Sequence, residues 1–369
     1  MENTKDTTKE QSSRTAVRVG ISIGDVNGIG PEVIMKALSD PRLMLDCTPI
    51  IYASSKVLTF HKKPLQLNDF NFMTVEKAEE AKNRKVNVVN IWEGEIEFKL
   101  GEVTENGGKY AFESLERATQ DLAAGKIDVL VTAPISKEAM GKSGFQFPGH
   151  TEYLADLAGE SDALMLMVSN TLKVGLVTSH IPLKEVSETV TMEKVADKIA
   201  QFSATLKKDF GIARPKIAVF GINPHAGESG KMGSEESEAI TPAINKSFND
   251  GILAYGPFPA DGFFGSGAMS SYDGVLAMYH DQGLAAFKAL SFDEGVNFTA
   301  GLPIIRTSPD HGTAFDIVGQ DKASGQSMRN AIYLAIDVHR NHQMTKEIMA
   351  NPLPISPKDD RRRDNHRDN

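Results

Sequence analysis

The amino-acid sequence predicts an α/β protein of two lobes, built on doubly wound, mainly parallel sheets with a cleft between the lobes. Strand-like and helix-like segments alternate along most of the 369 residues, which is typical of parallel α/β architectures. The length suggests about two domains rather than one. The sequence contains no internal repeat and no long low-complexity linker. We therefore expect the two lobes to share strands and to pack closely.

Short apolar runs predict the strands, and apolar residues at helical spacing predict the helices between them. The first run leads through a glycine turn into the helical segment PEVIMKAL. The segment GKYAFESLERATQDLAAGK is predicted to be a helix because Tyr110, Leu115 and Ala118 lie on or near one face. A further helix is predicted for MEKVADKIAQFSATLKKDFG. The predicted strands are 17–23, PIIYA, VNVVNI, 128–134, 163–168, 172–178, 217–222, 274–279 and 295–299.

The composition excludes several classes of protein. A net charge of −9 argues against nucleic-acid or membrane-surface binding, so an anionic substrate would need a local cationic pocket. Cys47 is the only cysteine, which excludes an intrachain disulfide and a thiolate metal cluster. The sequence has no signal-peptide pattern and no apolar stretch long enough to span a bilayer. We expect a cytoplasmic protein with no nucleic-acid or membrane partner.

Both ends of the chain are polar, and residues 1–15 and 351–369 are expected to be disordered tails. The last residues are rich in arginine, but aspartates are interleaved with the arginines. A solvated tail is therefore expected rather than a basic binding patch.

Three of the apolar runs each end in a histidine. They are VGLVTSH ending at His180, IAVFGINPH ending at His225 and GVLAMYH ending at His280. Because ligands bind at the carboxyl ends of strands in open α/β sheets, we expect the three imidazoles to converge on one site. Three histidines without a cysteine suit a divalent metal that keeps an open position. The alternative is that each histidine is a separate capping or core residue.

Two glycine-containing segments lie at predicted strand-to-helix junctions. The segment 24–32, GDVNGIGPE, lacks the GxGxxG spacing of dinucleotide-binding loops, so a structural turn and an anion or cofactor loop both stay open. In the segment PGHTE, His150 and Thr151 can donate hydrogen bonds to a phosphate or a carboxylate. Alternatively, His150 caps the helix TEYLADLAG.

The C-terminal third carries a possible phosphate cradle. Lys288 offers a point charge and Asn297 offers an amide donor. Arg306 offers a guanidinium that can bind a phosphate in a bidentate manner. Taken singly, each charged residue could equally belong to a solvated surface. The segment DHGTAFDIVG follows, and its small residues with Gly312 permit a tight loop against a flat ligand such as adenine.

Together, these motifs resemble the 4-hydroxythreonine-4-phosphate dehydrogenase family of vitamin B6 biosynthesis, from about Val17 to Leu334. The first and last motifs also resemble the GDGIGPE turn and HGSAPDIAG loop of isocitrate and isopropylmalate dehydrogenases. Family members usually carry Pro-Ala where this chain has Val26-Asn27, which leaves the shape of the first loop open. The motifs are GDxxGIGPE, TAPISKEAM, PGHTEYLA, NPHAGE, MYHDQG and RTSPDHGTAFDIVG.

The resemblance implies an isocitrate/isopropylmalate dehydrogenase-like fold and a homodimer with shared active sites. The cofactor-side lobe would comprise residues 16–132 with 303–350, and the metal, substrate and dimerisation lobe residues 133–302. The second subunit would supply His280 to the metal site. The implied metal ligands are His180, His225 and His280; the substrate-binding residues are His150, Thr151, Lys288, Asn297 and Arg306; the NAD-binding residues are His311, Gly312, Thr313, Ala314, Asp316 and Ile317.

The implied reaction is an NAD-dependent oxidation of 4-phosphooxy-L-threonine at C3, with one divalent ion (Zn, Mg or Co) per site. Decarboxylation would then give 3-amino-2-oxopropyl phosphate. Lys288 and, more weakly, Asp261 are candidate catalytic groups, although Asp261 could be a plain turn residue. NAD is favoured over NADP because no Arg or Lys lies between Thr307 and Gln320, whereas Asp316 would repel a 2′-phosphate. Lys322 lies just beyond this stretch.

Three other functions stay open at this point. The same chemistry could act on threonate or erythronate 4-phosphate, which differ from the first substrate at C2. A phosphate acyltransferase could share the general fold, but it would not need three histidines on a metal. A non-catalytic sensor of phosphorylated metabolites is the third alternative.

Overall fold

The computed structural model describes residues 16–159 and 163–351. The predicted disordered tails therefore lie outside the described residues, except for Asn351. No helix within the described ranges is long and apolar enough to cross a membrane.

In the described part of the chain, the strands form one twelve-stranded sheet. The strands are β1 (Val17–Ser22), β2 (Cys47–Ala53), β3 (Met73–Val75), β4 (Asn87–Asn90), β5 (Val129–Thr132), β6 (Leu164–Val168), β7 (Lys173–Leu176), β8 (Lys216–Phe220), β9 (Leu253–Phe258), β10 (Gly274–Ala277), β11 (Val296–Ala300) and β12 (Arg306–Pro309). Their order across the sheet is β3-β4-β2-β1-β5-β12-β11-β6-β7-β10-β8-β9.

The sheet is mainly parallel, as the sequence predicts. The exceptions lie in the middle, where β11 pairs antiparallel with β12 and β6, and β6 pairs antiparallel with β7. The strands of the predicted cofactor-side segments, β1 to β5 and β12, form one half of the sheet. The strands of the other predicted lobe, β6 to β11, form the other half. Because one sheet runs through both halves, the boundary between the two lobes stays a prediction.

Helices cover both faces of the sheet, which confirms the doubly wound α/β class. Along β5, for example, Val129 packs in the cluster that contains Ile332, whereas Leu130 packs in the cluster that contains Leu115. The helices are α1 (Gly30–Leu38), α2 (Leu43–Asp46), α3 (Ser55–Lys62), α4 (Glu105–Ala123), α5 (Lys137–Lys142), α6 (His150–Ala158), α7 (Val186–Thr189), α8 (Met192–Lys208), α9 (Thr241–Asn249), α10 (Ala260–Gly265), α11 (His280–Ser291) and α12 (Gln326–Ala350).

Local side-chain contacts explain where several helices begin. The Thr104 hydroxyl accepts a hydrogen bond from the Gly107 N–H at 3.0 Å and starts α4. The Ser136 hydroxyl accepts one from the Ala139 N–H at 3.2 Å and starts α5. A side chain at Gly108 would collide with the Ala139 backbone, so glycine allows α4 to pack directly against α5. This packing holds α5 beside the carboxyl end of β5, where the candidate site lies.

Candidate active site

A cleft of about 600 Å³ opens at the ends of β5, β11 and β12, beside the first turn of α6. Its position at strand ends agrees with the general location of ligand sites in open α/β sheets. The predicted site residues that line it are His150, Thr151, His180, Lys288, Asn297, Arg306, His311, Gly312 and Ala314.

Arg306 is the buried cation of this cleft, with only 3 % of its surface exposed. The hydroxyl oxygen of Thr132 accepts hydrogen bonds from its Nε at 3.1 Å and from its Nη2 at 2.7 Å. The Thr299 hydroxyl accepts from Nη1 at 3.2 Å, and Nη2 lies 3.2 Å from Nδ1 of His150. All these partners are neutral, and burial lowers the pKa of Arg306 to about 10. The guanidinium is therefore a positive charge without a counter-ion among these partners.

His150 is held in one protonation form by this contact. Arginine can only donate, so Nδ1 of His150 must accept and the proton of the neutral ring lies on Nε2. Burial, followed by the charge of Arg306, keeps the pKa of His150 well below its usual value. Nε2 is buried without a hydrogen-bond partner among the described residues. His150 therefore brings to the cleft lining a buried N–H that has no partner among the described residues.

Lys288 supplies a second cation at the cleft, but it is not free. Its Nζ lies 3.4 Å from Oδ1 of Asp310, which also lines the cleft. Burial raises the pKa of Asp310, and the charge of Lys288 opposes that rise. Asn297 contributes a buried side-chain oxygen with no partner in the described part of the chain. The cleft thus contains several polar atoms that a ligand could satisfy.

Two of the three strand-end histidines come together. The ring centroids of His180 and His280 are 5.9 Å apart. Nδ1 of His180 lies 3.4 Å from Oε1 of Glu152, and this contact lowers the pKa of the carboxyl group. Nδ1 of His280 lies 2.7 Å from Oδ1 of Asp281. The pair follows the parallel neighbours β7 and β10, which is the reason the two rings meet.

His225 does not join this pair within one chain. It is exposed and lies in a turn whose residues His225 to Ser229 all have positive φ, from +41° to +80°. Such left-handed backbone costs roughly 1–2 kcal/mol per non-glycine residue. The buried carboxylate of Glu236 holds the base of the turn, since it accepts the N–H groups of Ile222 and Asn223, both at 2.8 Å. Within one chain, the described residues form no group of three such ligands, so the convergence of the three histidines stays a prediction.

The donor chemistry of this region partly suits a metal. Two imidazoles beside a carboxylate are ligands that divalent ions accept. Among the described residues of one chain, however, no group of three such side chains could hold an ion. His180 and His280 can therefore fill two positions of a metal site, and a third ligand has to come from outside this set.

The predicted cofactor loop rests on the first glycine motif. Ile29 donates its N–H to the Thr313 carbonyl at 2.9 Å, and a side chain at Gly28 would collide with Thr313. The glycine motif itself is buried and does not line the cleft, which favours the structural turn over an anion loop. Asn27 accepts the Lys99 N–H and donates to the Thr104 hydroxyl, both at 2.8 Å. It therefore ties the turn to the start of α4.

The remaining candidates lie outside the cleft lining. Thr313, Asp316 and Ile317 belong to the cofactor loop, but only its first part faces the cleft. Asp261 lies in the first turn of the short helix α10 and is exposed. In one chain it is not placed to act on a ligand in this cleft.

Sequence reasoning missed four residues that shape the site. Thr132 and Thr299 hold Arg306, Glu152 contacts His180, and Asp310 contacts Lys288. Glu152 and Asp310 lie within motifs that were singled out, so their carboxylates could have been considered. Thr132 begins the motif TAPISKEAM, but both threonines lie in strands, where a hydroxyl gives no spacing signal.

The doubly wound sheet and the cationic cleft at its strand ends define an α/β enzyme that takes a small anionic substrate. A comparison with family models gives the particular family. The chain belongs to the family described as pyridoxal phosphate biosynthetic protein PdxA, whose model matches residues 45–335.

Individual relatives agree with this assignment. The chain is 49% identical over 338 residues to a 4-hydroxythreonine-4-phosphate dehydrogenase of Bacteroides thetaiotaomicron, covering 91% of this chain and 93% of the relative. It is 41% identical over 324 residues to a putative D-threonate 4-phosphate dehydrogenase of Oceanobacillus iheyensis, covering 87% and 97%. A crystal structure of 4-hydroxythreonine-4-phosphate dehydrogenase from Klebsiella pneumoniae aligns with a TM-score of 0.75 and 36% identity, covering 89% of this chain and 99% of that chain. The resemblance stated from the motifs is confirmed, and the chain is an oxidoreductase.

Proposed function

We propose that this chain is an NAD-dependent, divalent-metal-dependent dehydrogenase that oxidises 4-phosphooxy-L-threonine at C3. The observation that carries the proposal is the cleft, where the buried cation Arg306, held by neutral partners, and the unpartnered Nε2–H of His150 lie in one pocket with His180. An anionic group of a small substrate would suit Arg306 and His150, and a hydroxyl of the same substrate would suit a metal ion held by His180. The names of the most similar relatives supply the substrate.

The phosphate would bind at the end of the cleft formed by Arg306, His150 and Lys288. Arg306 and Lys288 would supply charge, and His150 would supply a hydrogen bond from Nε2. His180, His225 and His280 would hold the divalent ion at the other end, and the two subunits of a homodimer would share these three ligands. When bound, the ion would polarise the oxygen atoms of the substrate and lower the pKa of its C3 hydroxyl.

The overall reaction balances without a further oxidant. NAD, when bound, would supply the oxidant by accepting a hydride from C3, and loss of the hydroxyl proton would leave a ketone at C3. The product of this step is a β-keto acid, so the bond between C1 and C2 breaks and carbon dioxide leaves. The electron pair passes to the ketone, and protonation gives 3-amino-2-oxopropyl phosphate. Lys288 lines the cleft and is the candidate for taking the hydroxyl proton, a role that requires its neutral form and is therefore an alternative to its role as a charge for the phosphate.

D-Threonate 4-phosphate is the second candidate substrate. Relatives at 41% and 40% identity are named putative D-threonate 4-phosphate dehydrogenases. The two substrates differ in the group at C2, which is an amine in one and a hydroxyl in the other. The phosphate and hydroxyl contacts would be the same for both.

Steady-state reduction of NAD by a panel of C4-phosphorylated hydroxy acids tests this proposal. We expect 4-phosphooxy-L-threonine to give the highest kcat/KM, and turnover to stop when the metal is removed by a chelator and to return when it is restored. A higher kcat/KM with D-threonate 4-phosphate would change the substrate. Full turnover by metal-stripped protein would contradict the metal dependence.

A further inference from the structure

We propose that Thr132 is a positioning residue of the anion-binding end of the cleft: it fixes the guanidinium of Arg306, and through Arg306 it fixes His150 as an Nε2–H donor. This inference rests on the proposed function, since it concerns the groups that would bind the substrate's phosphate.

The sheet brings the groups together on three neighbouring strands. Thr132 ends β5, Arg306 begins β12 and Thr299 lies on β11, and these strands are adjacent in the order β5-β12-β11. Arg306 pairs in register with Leu130, so Thr132 lies two residues further along the neighbouring strand, on the same face of the sheet. Thr132 is completely buried. Its hydroxyl therefore has a fixed place beside the guanidinium.

Thr132 occupies the edge of the guanidinium where a carboxylate would usually bind. Its single oxygen accepts from both Nε and Nη2, at 3.1 Å and 2.7 Å. An aspartate there would hold Arg306 equally well, but it would also neutralise the charge. A threonine orients the cation and leaves its charge for an incoming anion.

The contact also decides how the arginine can be used. Of the five N–H groups of Arg306, two donate to Thr132, one to Thr299 and one to Nδ1 of His150. Only one N–H, on Nη1, is left for a ligand. The predicted bidentate binding of a phosphate by Arg306 is therefore not available in this arrangement.

Arg306 and His150 then have one N–H each left for a ligand. Nη2 of Arg306 reaches Nδ1 of His150 only while Thr132 holds the guanidinium in its present orientation. Without Thr132, the hydroxyl of Thr299 would hold Arg306 through Nη1 alone, and rotation about that contact would release Nδ1. His150 could then take up its proton on either nitrogen, and its Nε2 would no longer be a fixed donor.

Binding of inorganic phosphate, measured calorimetrically, tests this inference on Thr132→Val, which keeps the shape of the side chain and removes the hydroxyl. We expect phosphate to bind about ten-fold to a hundred-fold more weakly, the range for losing a hydrogen bond to a charged group. Thr132→Ser should restore most of the affinity. The KM for the phosphorylated substrate should rise more than kcat falls. In nitrogen-15 spectra, identified by comparison with His150→Gln, the His150 ring should change from the Nε2–H form to a mixture.

Thr307→Val is the matched control. Thr307 is also completely buried, lies on β12 and donates its hydroxyl proton to the Ala331 carbonyl at 2.8 Å, away from the cleft lining. It should lose stability without losing phosphate affinity. Equal loss of affinity in both valine variants, or unchanged affinity in Thr132→Val while Arg306→Ala binds weakly, would overturn the positioning role and leave the proposed site intact. Unchanged affinity in Arg306→Ala would instead overturn the proposed phosphate site itself.

Discussion

At the scale of a single residue, Glu152 connects the two ends of the cleft. It follows His150 and Thr151 in the first turn of α6, and its carboxylate contacts Nδ1 of His180 at 3.4 Å. A carboxylate on this nitrogen keeps the proton there and leaves Nε2 of His180 to bind an ion. The helix turn that presents donors to the phosphate therefore also orients a candidate metal ligand.

Removal of this carboxylate should weaken metal binding. We expect Glu152→Ala to bind a divalent ion about 10- to 100-fold more weakly, the usual effect of losing such a partner. Glu152→Gln should lose less, because its amide oxygen can still accept from Nδ1. Competition with a chromophoric chelator measures the affinity. The control is Asp156→Ala, which removes an exposed carboxylate four residues further along α6. The same affinity in Glu152→Ala and the wild type would show that His180 needs no such support.

The charged and amide residues of the cleft could be predicted from the sequence, whereas their partners could not. His150, Thr151 and Arg306 stand in the quoted motifs. Lys288 and Asn297 lie between the motifs MYHDQG and RTSPDHGTAFDIVG and were predicted from their side-chain chemistry. All five line the cleft. Thr132 lies 174 positions before Arg306, and only the pairing of β5 with β12 brings them together. A hydroxyl in a buried strand has no periodicity that marks it as a partner. The sequence also could not indicate that four of the five N–H groups of the Arg306 guanidinium already donate hydrogen bonds within the protein.

At the scale of elements, the apolar strands were predicted and the atypical ones were not. β3 is only three residues long, and two of the three are exposed. β9 reads LAYGPF, and its glycine has φ +140° while its proline cannot donate to the sheet. β12 reads RTSP, a polar sequence in the centre of the sheet. Its burial depends on hydrogen bonds to neighbouring elements, which the sequence does not reveal.

The strand that precedes His225 was predicted, but the turn that carries this histidine was not. β8 lies beside β10, as expected for strands whose ends share one site. After β8 the backbone enters the left-handed turn, and His225 stays exposed. No glycine pattern announces this turn, because only Gly227 within it is a glycine. Strained backbone of this kind often occurs at functional sites.

The loop after β12 should determine the choice of cofactor. We expect NAD to be used in preference to NADP, because Asp316 lies in an exposed turn and would repel a 2′-phosphate. The nearby cation Lys36 is already paired with Asp321 at 2.8 Å. Steady-state kinetics with both cofactors measure the preference, and Asp316→Asn should reduce it. A kcat/KM for NADP equal to or above that for NAD would contradict the placement of the loop.

At the scale of the whole molecule, the candidate metal site is incomplete in one chain. The rings of His180 and His280 are neighbours, but the described residues of one chain contain no complete group of three ligands. We propose that a homodimer completes the site. His225→Ala and His280→Ala homodimers should both be inactive. After dissociation and reassembly, a mixture of the two should recover activity, because each heterodimer contains one intact site and one doubly broken site.

A second mixture shows how the ligands are divided between the subunits. If His180 and His280 come from the same chain, a heterodimer of His180→Ala with His280→Ala has one broken ligand in each site and stays inactive. If the second subunit supplies His280, as the family resemblance implies, the same heterodimer contains one intact site and recovers activity. Failure of both mixtures, with heterodimers confirmed by native mass spectrometry, would argue for sites within single chains.

The position of β12 between β5 and β11 has a consequence for the synthesis of the chain on the ribosome. β5 is complete at residue 132, but its neighbour β12 begins only at residue 306. Until that segment emerges, the nascent chain carries an open strand edge in the middle of its future sheet, where another chain could pair with it. A message truncated before codon 306 would therefore yield an aggregation-prone product that also lacks Arg306.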